Sequence, residues 1–285
     1  MKKILLTGST GFIGRSVLPL LQKEYEVFHP GRNELNLYDE GQVGEYIRNN
    51  KIDIVLHCAN PRPVDCGVNK TESLLGGSLR QYFNLRLHSS LYEKMFYLGS
   101  GAEYDKSRDI VSVSEEEIGQ QIPKDDYGFA KYIMNEDARK SDNIYNLRIF
   151  GCYGPTDAKT KFIRDSIDCC LNEQEITIRQ NCYFDYMYVE DLGRLLLKLI
   201  PKDLSYHDYN VCSGKRIALK EIAGIVKSQM SNPYDIKIYN EGWNKEYTAS
   251  NFRLLSEVDG FEFTTIYDGI SKQIQWQRNF IQSSM

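Results

Sequence analysis

Short apolar segments alternate with amphipathic segments along the first half of this chain. The apolar segments have the length of buried strands, and they lie at residues 3–7, 25–29, 52–59, 95–99 and 146–150. The segments between them have the pattern of helices, and they cover residues 15–23, 41–50, 78–93 and 126–140. Strands that alternate with helices in this way predict an α/β fold with a doubly wound parallel sheet.

The second half of the chain is less regular. Helices are expected at residues 157–172, 190–200, 218–230 and 268–280, and short strands at 176–178 and 186–189. We therefore predict a sheet domain at 1–155 and a smaller C-terminal α/β substrate-binding lobe at 156–285, partly interleaved with the sheet domain through residues 184–212. The segment 60–78 is rich in Gly, Pro, Ser and Asn, which predicts a loop near the site.

Composition narrows the class of protein without identifying a function. The 285 residues carry a net charge of −4, and no basic stripe indicates a nucleic-acid partner. The seven cysteines include no CxxC pair and the four histidines are widely spaced, so neither a disulfide framework nor a metal site is expected. No apolar run approaches the ~18–20 residues of a membrane span, and the apolar N-terminus is too short for a signal peptide. We expect a cytoplasmic protein without a membrane partner.

The turn after the first strand carries glycines at the spacing GxxGxxG. Glycine lets the backbone turn tightly and approach a pyrophosphate closely, and the helix that follows presents free N–H groups to the anion. The strand–turn–helix context makes this motif far more specific than three glycines alone. The motif predicts a dinucleotide site formed by Gly8, Ser9, Thr10, Gly11, Phe12, Ile13 and Gly14.

A second motif, YxxxK, lies in the predicted helix at 126–140, with Tyr127 and Lys131 one turn apart on the same face. An ammonium group beside a phenol stabilises the phenolate, so we expect Lys131 to lower the pKa of Tyr127 toward the working pH. Tyr127 can then exchange a proton with a substrate oxygen while a hydride moves. Both residues are also expected to contact the cofactor.

The segment TGSTGFIG at 7–14 resembles the extended short-chain dehydrogenase/reductase family, whose members mostly act on nucleotide sugars. The resemblance implies a Rossmann domain at 1–155 that binds NAD(P). Further segments resemble the family in the same order, namely VLHCA at 55–59, LRIFGCYGP at 147–155, YMYVEDL at 186–192 and YNVCSG at 209–214. The first two imply cofactor contacts at Ala59 and Phe150.

The same family places a Ser or Thr four residues before an aromatic residue, after the strand that precedes the YxxxK helix. Ser100 stands four residues before Tyr104 at this place. The resemblance therefore implies a catalytic trio of Ser100, Tyr127 and Lys131, in which the Ser100 hydroxyl hydrogen-bonds the reacting sugar oxygen. Ser100 and Tyr127 are accordingly also expected to bind the substrate.

The end of the second predicted strand bears on the choice between NADP and NAD. An acidic residue there would bind the ribose hydroxyls of NAD, but the segment reads HPGR and ends at Arg32. A guanidinium suits a 2′-phosphate. The stretch RNELNLYD at 32–39 resembles that of GDP-fucose synthases, which use NADP, and it adds Asn36 and Leu37 to the expected cofactor contacts. We expect NADP, with NAD as the alternative.

Departures from the family pattern narrow the chemistry. Sugar 4,6-dehydratases carry Asp-Glu directly after the catalytic hydroxyl residue, whereas this chain has Gly101 and Ala102, and GDP-fucose synthases carry a cysteine where Ala102 stands. Dehydration and double epimerisation are therefore disfavoured. Gly151 replaces a usual asparagine, and Phe184 replaces a usual arginine that binds the substrate phosphate. Substrate binding is accordingly expected from other arginines, with Arg164, Arg179 and Arg253 as candidates.

These observations favour NADP-dependent reduction of a 4-keto nucleotide sugar to a deoxysugar nucleotide. The first alternative is a nucleotide-sugar 4-epimerase that keeps NAD tightly bound. The second is a non-catalytic module that senses NADP, although such relatives usually lose the tyrosine or the lysine. In relatives, the YxxxK helix and the helix before the Ser100 strand pack against a second subunit, so we expect a homodimer.

Overall fold

The computed structural model describes residues 1–61 and 73–284. The predicted loop at 60–78 therefore lies largely outside the described residues, and so does Cys66. The strands are β1 (Lys3–Thr7), β2 (Glu26–Phe28), β3 (Ile54–His57), β4 (Lys94–Ser100), β5 (Ile110–Val113), β6 (Ile144–Ile149), β7 (Gly151–Tyr153), β8 (Ile176–Asn181), β9 (Tyr183–Tyr188), β10 (Asp208–Val211), β11 (Arg216–Ala218), β12 (Ile236–Trp243) and β13 (Tyr247–Ala249).

The helices include long amphipathic segments and one short turn of helix near the C-terminal end. They are α1 (Phe12–Leu21), α2 (Glu40–Asn50), α3 (Leu74–Arg86), α4 (Asp126–Ala138), α5 (Phe162–Leu171), α6 (Val189–Leu199), α7 (Leu219–Met230), α8 (Phe252–Glu257) and α9 (Ile266–Ser284). Short 3₁₀ helices lie at Ser89–Leu91, Gly101–Tyr104 and Glu115–Glu117. Within the described residues, no helix combines the length and the apolar character that a membrane span needs.

The central sheet contains six parallel strands in the order β2-β1-β3-β4-β6-β10. Successive side chains of β1 point to opposite faces: Ile4 and Leu6 join one hydrophobic cluster with α1 and α6, and Leu5 joins the other with α2, α3 and α4. Helices thus cover both faces, and the predicted doubly wound parallel sheet is confirmed.

The strand order places a switch point between β1 and β3, because the chain runs to β2 on one side of β1 and to β3 on the other. Ligands of such sheets bind beyond the carboxyl ends of the strands at the switch point. The pairing of Ser100 with Ile149 puts the end of β4 at the same edge of the sheet. The glycine turn and Ser100 therefore share one edge.

The later part of the chain forms a second layer over that edge. A mixed sheet joins β11, β9, β13 and β5, with β7 beside β9, and β8 pairs with β12. Helices α5, α7 and α9 pack around a third hydrophobic cluster beside these strands. The strand β10 belongs to the central sheet although it lies at 208–211. The division at residue 155 stays a prediction.

Several predicted boundaries are wrong. Helix α1 begins at Phe12 rather than Arg15, because its first turn lies inside the glycine motif. Helix α3 covers Leu74–Arg86 rather than 78–93, and α5 begins at Phe162 rather than 157. The strands β5, β11, β12 and β13 were not predicted, because their pairing partners are far away in sequence.

Candidate active site

The glycine motif brings the backbone of the first turn unusually close to β3. Gly8 has φ of +72°, and a Cβ on it would lie 2.6 Å from the backbone nitrogen of Ala59. A Cβ on Gly14 would lie 2.3 Å from the carbonyl oxygen of Gly8. No side chain fits at either position, so the turn stays narrow and its backbone stays accessible to a ligand.

The amino end of α1 has the properties of an anion site. Its N-cap residue, Gly11, offers no side-chain acceptor, and the first turn contains no acidic residue. The N–H groups of this turn, which includes Phe12 and Ile13, therefore remain available for an anion at the positive end of the helix dipole. Arg15 donates to the carbonyl oxygen of Thr10 at 3.2 Å and so braces the turn. These residues fit the pyrophosphate of a dinucleotide.

A buried polar pair lies next to the glycine turn. The Thr7 hydroxyl and His57 Nδ1 are 2.8 Å apart, and the backbone N–H of Ala59 donates to Thr7 Oγ1 at 3.3 Å. Burial, reinforced by the nearby Lys131 ammonium, lowers the pKa of His57 to about 3. The imidazole is therefore neutral at physiological pH, and it holds β1 and β3 together beneath the glycine turn.

The residues expected around the adenosine end lie after β2. Arg32 is exposed in the turn that follows this strand. The Asn36 side chain accepts from the N–H of Tyr38 at 3.1 Å, and the Leu37 carbonyl accepts from Asn84 at 2.9 Å. Both bonds fix the course of the segment 36–38. The cofactor contacts of Arg32, Asn36 and Leu37 stay predictions.

Ser100 ends β4 and caps the 3₁₀ helix that follows it. Its hydroxyl accepts from the Ala102 N–H at 3.2 Å, and its own N–H donates to Glu103 at 2.9 Å. This reciprocal pair is a capping box. It fixes the Ser100 side chain at the carboxyl edge of the sheet.

Helix α4 brings Tyr127 and Lys131 to Ser100. Asp125 caps the helix by accepting from the Gly128 N–H at 2.9 Å, and the Ser100 hydroxyl lies near enough to the Tyr127 phenol to favour its ionised form. Lys131 is 4% exposed. Its ammonium donates to the Leu98 carbonyl at 2.8 Å and lies 6.0 Å from the centre of the Tyr127 ring. The structure thus brings together the three residues expected to be catalytic.

The electrostatics of the trio differ from the expectation. Burial raises the pKa of Tyr127, and the nearby Ser100 hydroxyl opposes this rise only in part. The prediction that Lys131 lowers the pKa of Tyr127 is therefore wrong for the protein without cofactor. The Lys131 ammonium faces the Tyr127 ring and bonds to the Leu98 carbonyl instead of the phenol. Burial lowers the pKa of Lys131 to about 8, against the attraction of Glu103.

Behind Ser100 lies a buried ionic network to which the sequence analysis assigned no role. Arg148, fully buried, bonds Glu103 at 2.7 Å and Asp208 at 3.1 Å, and it also donates to Asn135 and Asn210. Burial raises the pKa of Glu103, and the Arg148 charge opposes the rise. The spacing Ser-x-x-Glu was a usable signal for the Glu103 cap, but the partners of Arg148 lie too far apart in sequence.

Tyr247 is the most prominent residue that the sequence analysis missed. It lies on β13, and its hydroxyl lies against Gly101, the neighbour of Ser100 in the chain. Its ring centre is 4.9 Å from that of Phe150 and 5.7 Å from that of Phe184. Phe150, expected to contact the cofactor, is thus part of an aromatic wall beside the trio. No local sequence motif marks Tyr247.

Two departures from the family pattern have a structural reason. A Cβ on Gly151 would lie 2.5 Å from the carbonyl oxygen of Asp185, so asparagine does not fit at this position. Phe184 stacks on Tyr186 with ring centres 5.4 Å apart and extends the aromatic wall. An aromatic surface therefore stands where the family pattern has a cation.

The three candidate substrate arginines lie on three different elements, namely α5, β8 and α8. Arg253 is 8% exposed, and its guanidinium pairs with Asp208 at 2.7 Å and with Glu116. Arg164 donates to the Asp157 carbonyl and lies 5.5 Å from the Trp276 ring. Arg179 is exposed on β8. Because its donors are engaged by carboxylates, Arg253 is not included in the substrate site proposed below.

The described residues contain no cluster of His, Cys, Asp and Glu that would hold a metal ion. The cysteines among them, which are Cys58, Cys152, Cys169, Cys170, Cys182 and Cys212, carry free thiols.

Comparison with known proteins agrees with the fold. Residues 4–212 match the model of the NAD dependent epimerase/dehydratase family. The chain belongs to this family of NAD(P)-dependent enzymes that modify nucleotide sugars, which confirms both the resemblance seen in the sequence and the expectation of an NAD(P)-dependent enzyme of this kind.

Individual relatives are distant. GDP-L-colitose synthase of Yersinia pseudotuberculosis is 22% identical, over 99% of this chain and 90% of the relative. CDP-abequose synthase of Salmonella muenchen is 26% identical over 80% of each chain. Among solved structures, the GDP-L-fucose synthetase of Naegleria fowleri superposes with a TM-score of 0.84 at 17% identity, covering 99% of this chain and 94% of the other. The structural likeness supports the fold.

Proposed function

We propose that this protein reduces a 4-keto nucleotide sugar to a deoxysugar nucleotide with NADPH. The observation that carries the proposal is that Ser100, Tyr127 and the buried Lys131 ammonium come together at the carboxyl edge of the sheet, the edge that also carries the glycine turn. Two of the relatives described above are named as synthases of GDP-L-colitose and CDP-abequose. A nucleotide sugar is accordingly the substrate class we propose.

The bound dinucleotide supplies a hydride to the carbonyl carbon at sugar position 4. The residues of the chain handle the oxygen and the proton. Ser100 donates a hydrogen bond to the carbonyl oxygen and holds it beside the phenol. Tyr127 transfers its proton to that oxygen as negative charge develops there, which leaves a phenolate. With the dinucleotide bound, the Lys131 ammonium would bond the ribose next to the nicotinamide and would stabilise this phenolate from its place near the Tyr127 ring.

NADP is proposed over NAD on the basis of Arg32. This residue is exposed at the end of β2, where an acid that would bind ribose hydroxyls is missing. A second structure of the Naegleria fowleri synthetase is bound to NADP. The guanidinium of Arg32 is suited to a 2′-phosphate through paired hydrogen bonds.

Reduction is proposed over dehydration because of the residues around Ser100. Removal of water needs a carboxyl group that is free to act on the sugar. Glu103, the carboxylate next to Ser100, bonds the Ser100 N–H and the buried Arg148 guanidinium. Its acceptor oxygens are engaged in the cap and the ion pair, so it has no capacity to act as a catalytic acid or base.

The test is NADPH oxidation with a panel of GDP-, CDP-, UDP- and dTDP-linked 4-keto sugars. Tyr127→Phe preserves the ring and removes one hydroxyl, so turnover should fall at least ~10²-fold while NADPH affinity is kept. Ser100→Ala should reduce turnover less, because it removes a supporting hydrogen bond rather than the proton. Tyr132→Phe, on the same helix and beside Lys131, is the matched control and should leave turnover unchanged.

The outcomes separate the proposal from its alternatives. Full turnover by Tyr127→Phe on a substrate of the parent enzyme would refute the catalytic assignment. Epimerised product without NADPH consumption, together with NAD retained through purification, would identify a 4-epimerase. NADPH binding without turnover on any substrate of the panel would identify an NADP-sensing module. The cytoplasmic location, the homodimer and the substrate contacts of Arg164 and Arg179 stay proposals.

A further inference from the structure

We propose that Tyr247 is a positioning residue of this active site: its phenol donates a hydrogen bond to Ser100 and thereby turns the Ser100 proton toward Tyr127. The inference rests on the proposed function for the role of Tyr127 as proton donor. It adds a fourth member, from the C-terminal part of the chain, to the trio of Ser100, Tyr127 and Lys131.

The position of Tyr247 is fixed by backbone pairing and by aromatic packing. The backbone of Tyr247 pairs with Ile110 of β5 on one side and with Phe184 of β9 on the other. Its ring is held between the rings of Phe150 and Phe184, with centres 4.9 and 5.7 Å away. The phenol therefore reaches Ser100 from a strand inside a sheet, which is a rigid support.

The hydrogen-bonding capacity of Ser100 limits which phenol can donate to its hydroxyl and which can accept from it. A serine hydroxyl has one donor and two acceptor positions. The Ala102 N–H occupies one acceptor position at 3.2 Å. One donor and one acceptor position then remain for the two phenols beside Ser100, which are those of Tyr127 and Tyr247. In a fully satisfied arrangement, one phenol donates to Ser100 and the other accepts from it.

Tyr127 is the phenol suited to accept. It lies in the first turn of α4, where the helix dipole favours negative charge, and the Lys131 ammonium is 6.0 Å from its ring centre. Burial raises the pKa of Tyr247, so this phenol keeps its proton and donates it. The chain of bonds then runs from Tyr247 through Ser100 to Tyr127, and each bond polarises the next.

The space for the Tyr247 hydroxyl exists because residue 101 is glycine. A Cβ at position 101 would lie 2.4 Å from Tyr247 Oη and 2.7 Å from Phe150 Cε1. The sugar dehydratase pattern has an aspartate at this position. In this chain, the phenol of Tyr247 is therefore placed where that side chain would begin, and it approaches Ser100 from the same side.

The consequence is a change in the acidity of Tyr127. Without the Tyr247 hydroxyl, Ser100 donates less strongly to the phenolate, so the pKa of Tyr127 rises by a few tenths to about one unit. Other titratable or charged groups around the two phenols stay the same in the variants, namely Glu103, Tyr104, Lys106, Asp125, Lys131, Arg148 and Cys212.

The test is a ¹⁹F NMR titration of the full chain labelled with 3-fluorotyrosine, whose phenol is more acidic than that of tyrosine. The chain contains 20 tyrosines, and the Tyr127 resonance is assigned as the one missing in Tyr127→Phe. We expect Tyr247→Phe to shift the Tyr127 titration to higher pH. Gly101→Ala, which displaces the Tyr247 hydroxyl, should shift it in the same direction. Tyr186→Phe removes a hydroxyl from the same aromatic wall and should leave the titration midpoint unchanged.

An unchanged Tyr127 midpoint in Tyr247→Phe would overturn the inference, and so would an equal shift in Tyr186→Phe. Unchanged positions of the other fluorotyrosine resonances verify that the fold is retained. The titration needs neither substrate nor cofactor. Failure of every 4-keto sugar in the turnover assay would therefore overturn the proposed function and leave this result standing, whereas an active enzyme with an unchanged midpoint would overturn the inference alone.

Discussion

Replacement of Lys131 by methionine should stabilise the protein without cofactor while it abolishes activity. Burial lowers the pKa of this lysine from 10.5 to about 8. The difference of about 2.5 units corresponds to about 3.4 kcal/mol by which the folded state disfavours the charged form. Methionine has a similar volume and no charge, but it loses the hydrogen bond to the Leu98 carbonyl, at a cost of about 1–1.5 kcal/mol. The net gain at pH 7 is about 2 kcal/mol.

The pH dependence gives the prediction a second signature. Below pH 8 the lysine is charged in both states, and the full penalty is present. Between about pH 8 and 10.5 the folded protein loses the proton while the unfolded chain keeps it, so this group makes stability rise with pH. Above about pH 10.5 the lysine is neutral in both states, and the penalty for burying its charge is gone. The difference in unfolding free energy between Lys131→Met and the parent should therefore shrink across this window.

Urea unfolding of parent and variant at a series of pH values measures both effects. Lys198→Met, at an exposed position of α6, is the control and should change stability by no more than about 0.5 kcal/mol. A Lys131→Met protein that is less stable than the parent at pH 7, with the same pH dependence, would refute the reasoning. Loss of NADPH affinity in the same variant would show that the ammonium serves the cofactor as well.

Three further predictions concern the cofactor preference, the buried Glu103–Arg148 ion pair and the oligomeric state. Arg32→Ala should remove a preference for NADPH over NADH of about 1–3 kcal/mol in fluorescence titrations, and equal affinities in the parent would contradict it. Glu103→Gln should lower the unfolding free energy by about 2–4 kcal/mol in urea, somewhat less than the full loss of a buried ion pair because Asp208 still pairs with Arg148. Light scattering at micromolar concentration should give the mass of a homodimer. Leu87 at the end of α3 is 66% exposed, and an exposed apolar side chain there favours contact with a second subunit.

The first half of the fold was predictable because its signals are local. The apolar run of β1, the glycine turn and the start of α1 follow one another within about twenty residues, and each has a motif with a physical meaning. The same holds for Tyr127 and Lys131, which one helical turn places on a common face. The position of Ser100 came from family resemblance, and the capping box with Glu103 explains it.

The rest of the site depends on contacts between distant segments. Tyr247 reaches Ser100 across 147 positions only because β13 inserts between β5 and β9. Arg253 was expected at the substrate, but its carboxylate partners Glu116 and Asp208 are 137 and 45 residues away. The pKa of Tyr127 was predicted in the wrong direction because the motif gives the neighbouring charge and not the burial.

The proposed reaction delivers a hydride and a proton to a sugar carbonyl with net consumption of NADPH. The most direct measurement uses NADPH carrying deuterium at nicotinamide C4, on the face from which transfer occurs, with NMR and mass analysis of the sugar nucleotide. We expect one deuterium at sugar C4 for each NADPH oxidised, and loss of this product in Tyr127→Phe. A product with inverted configuration, no deuterium and no NADPH consumed would contradict it.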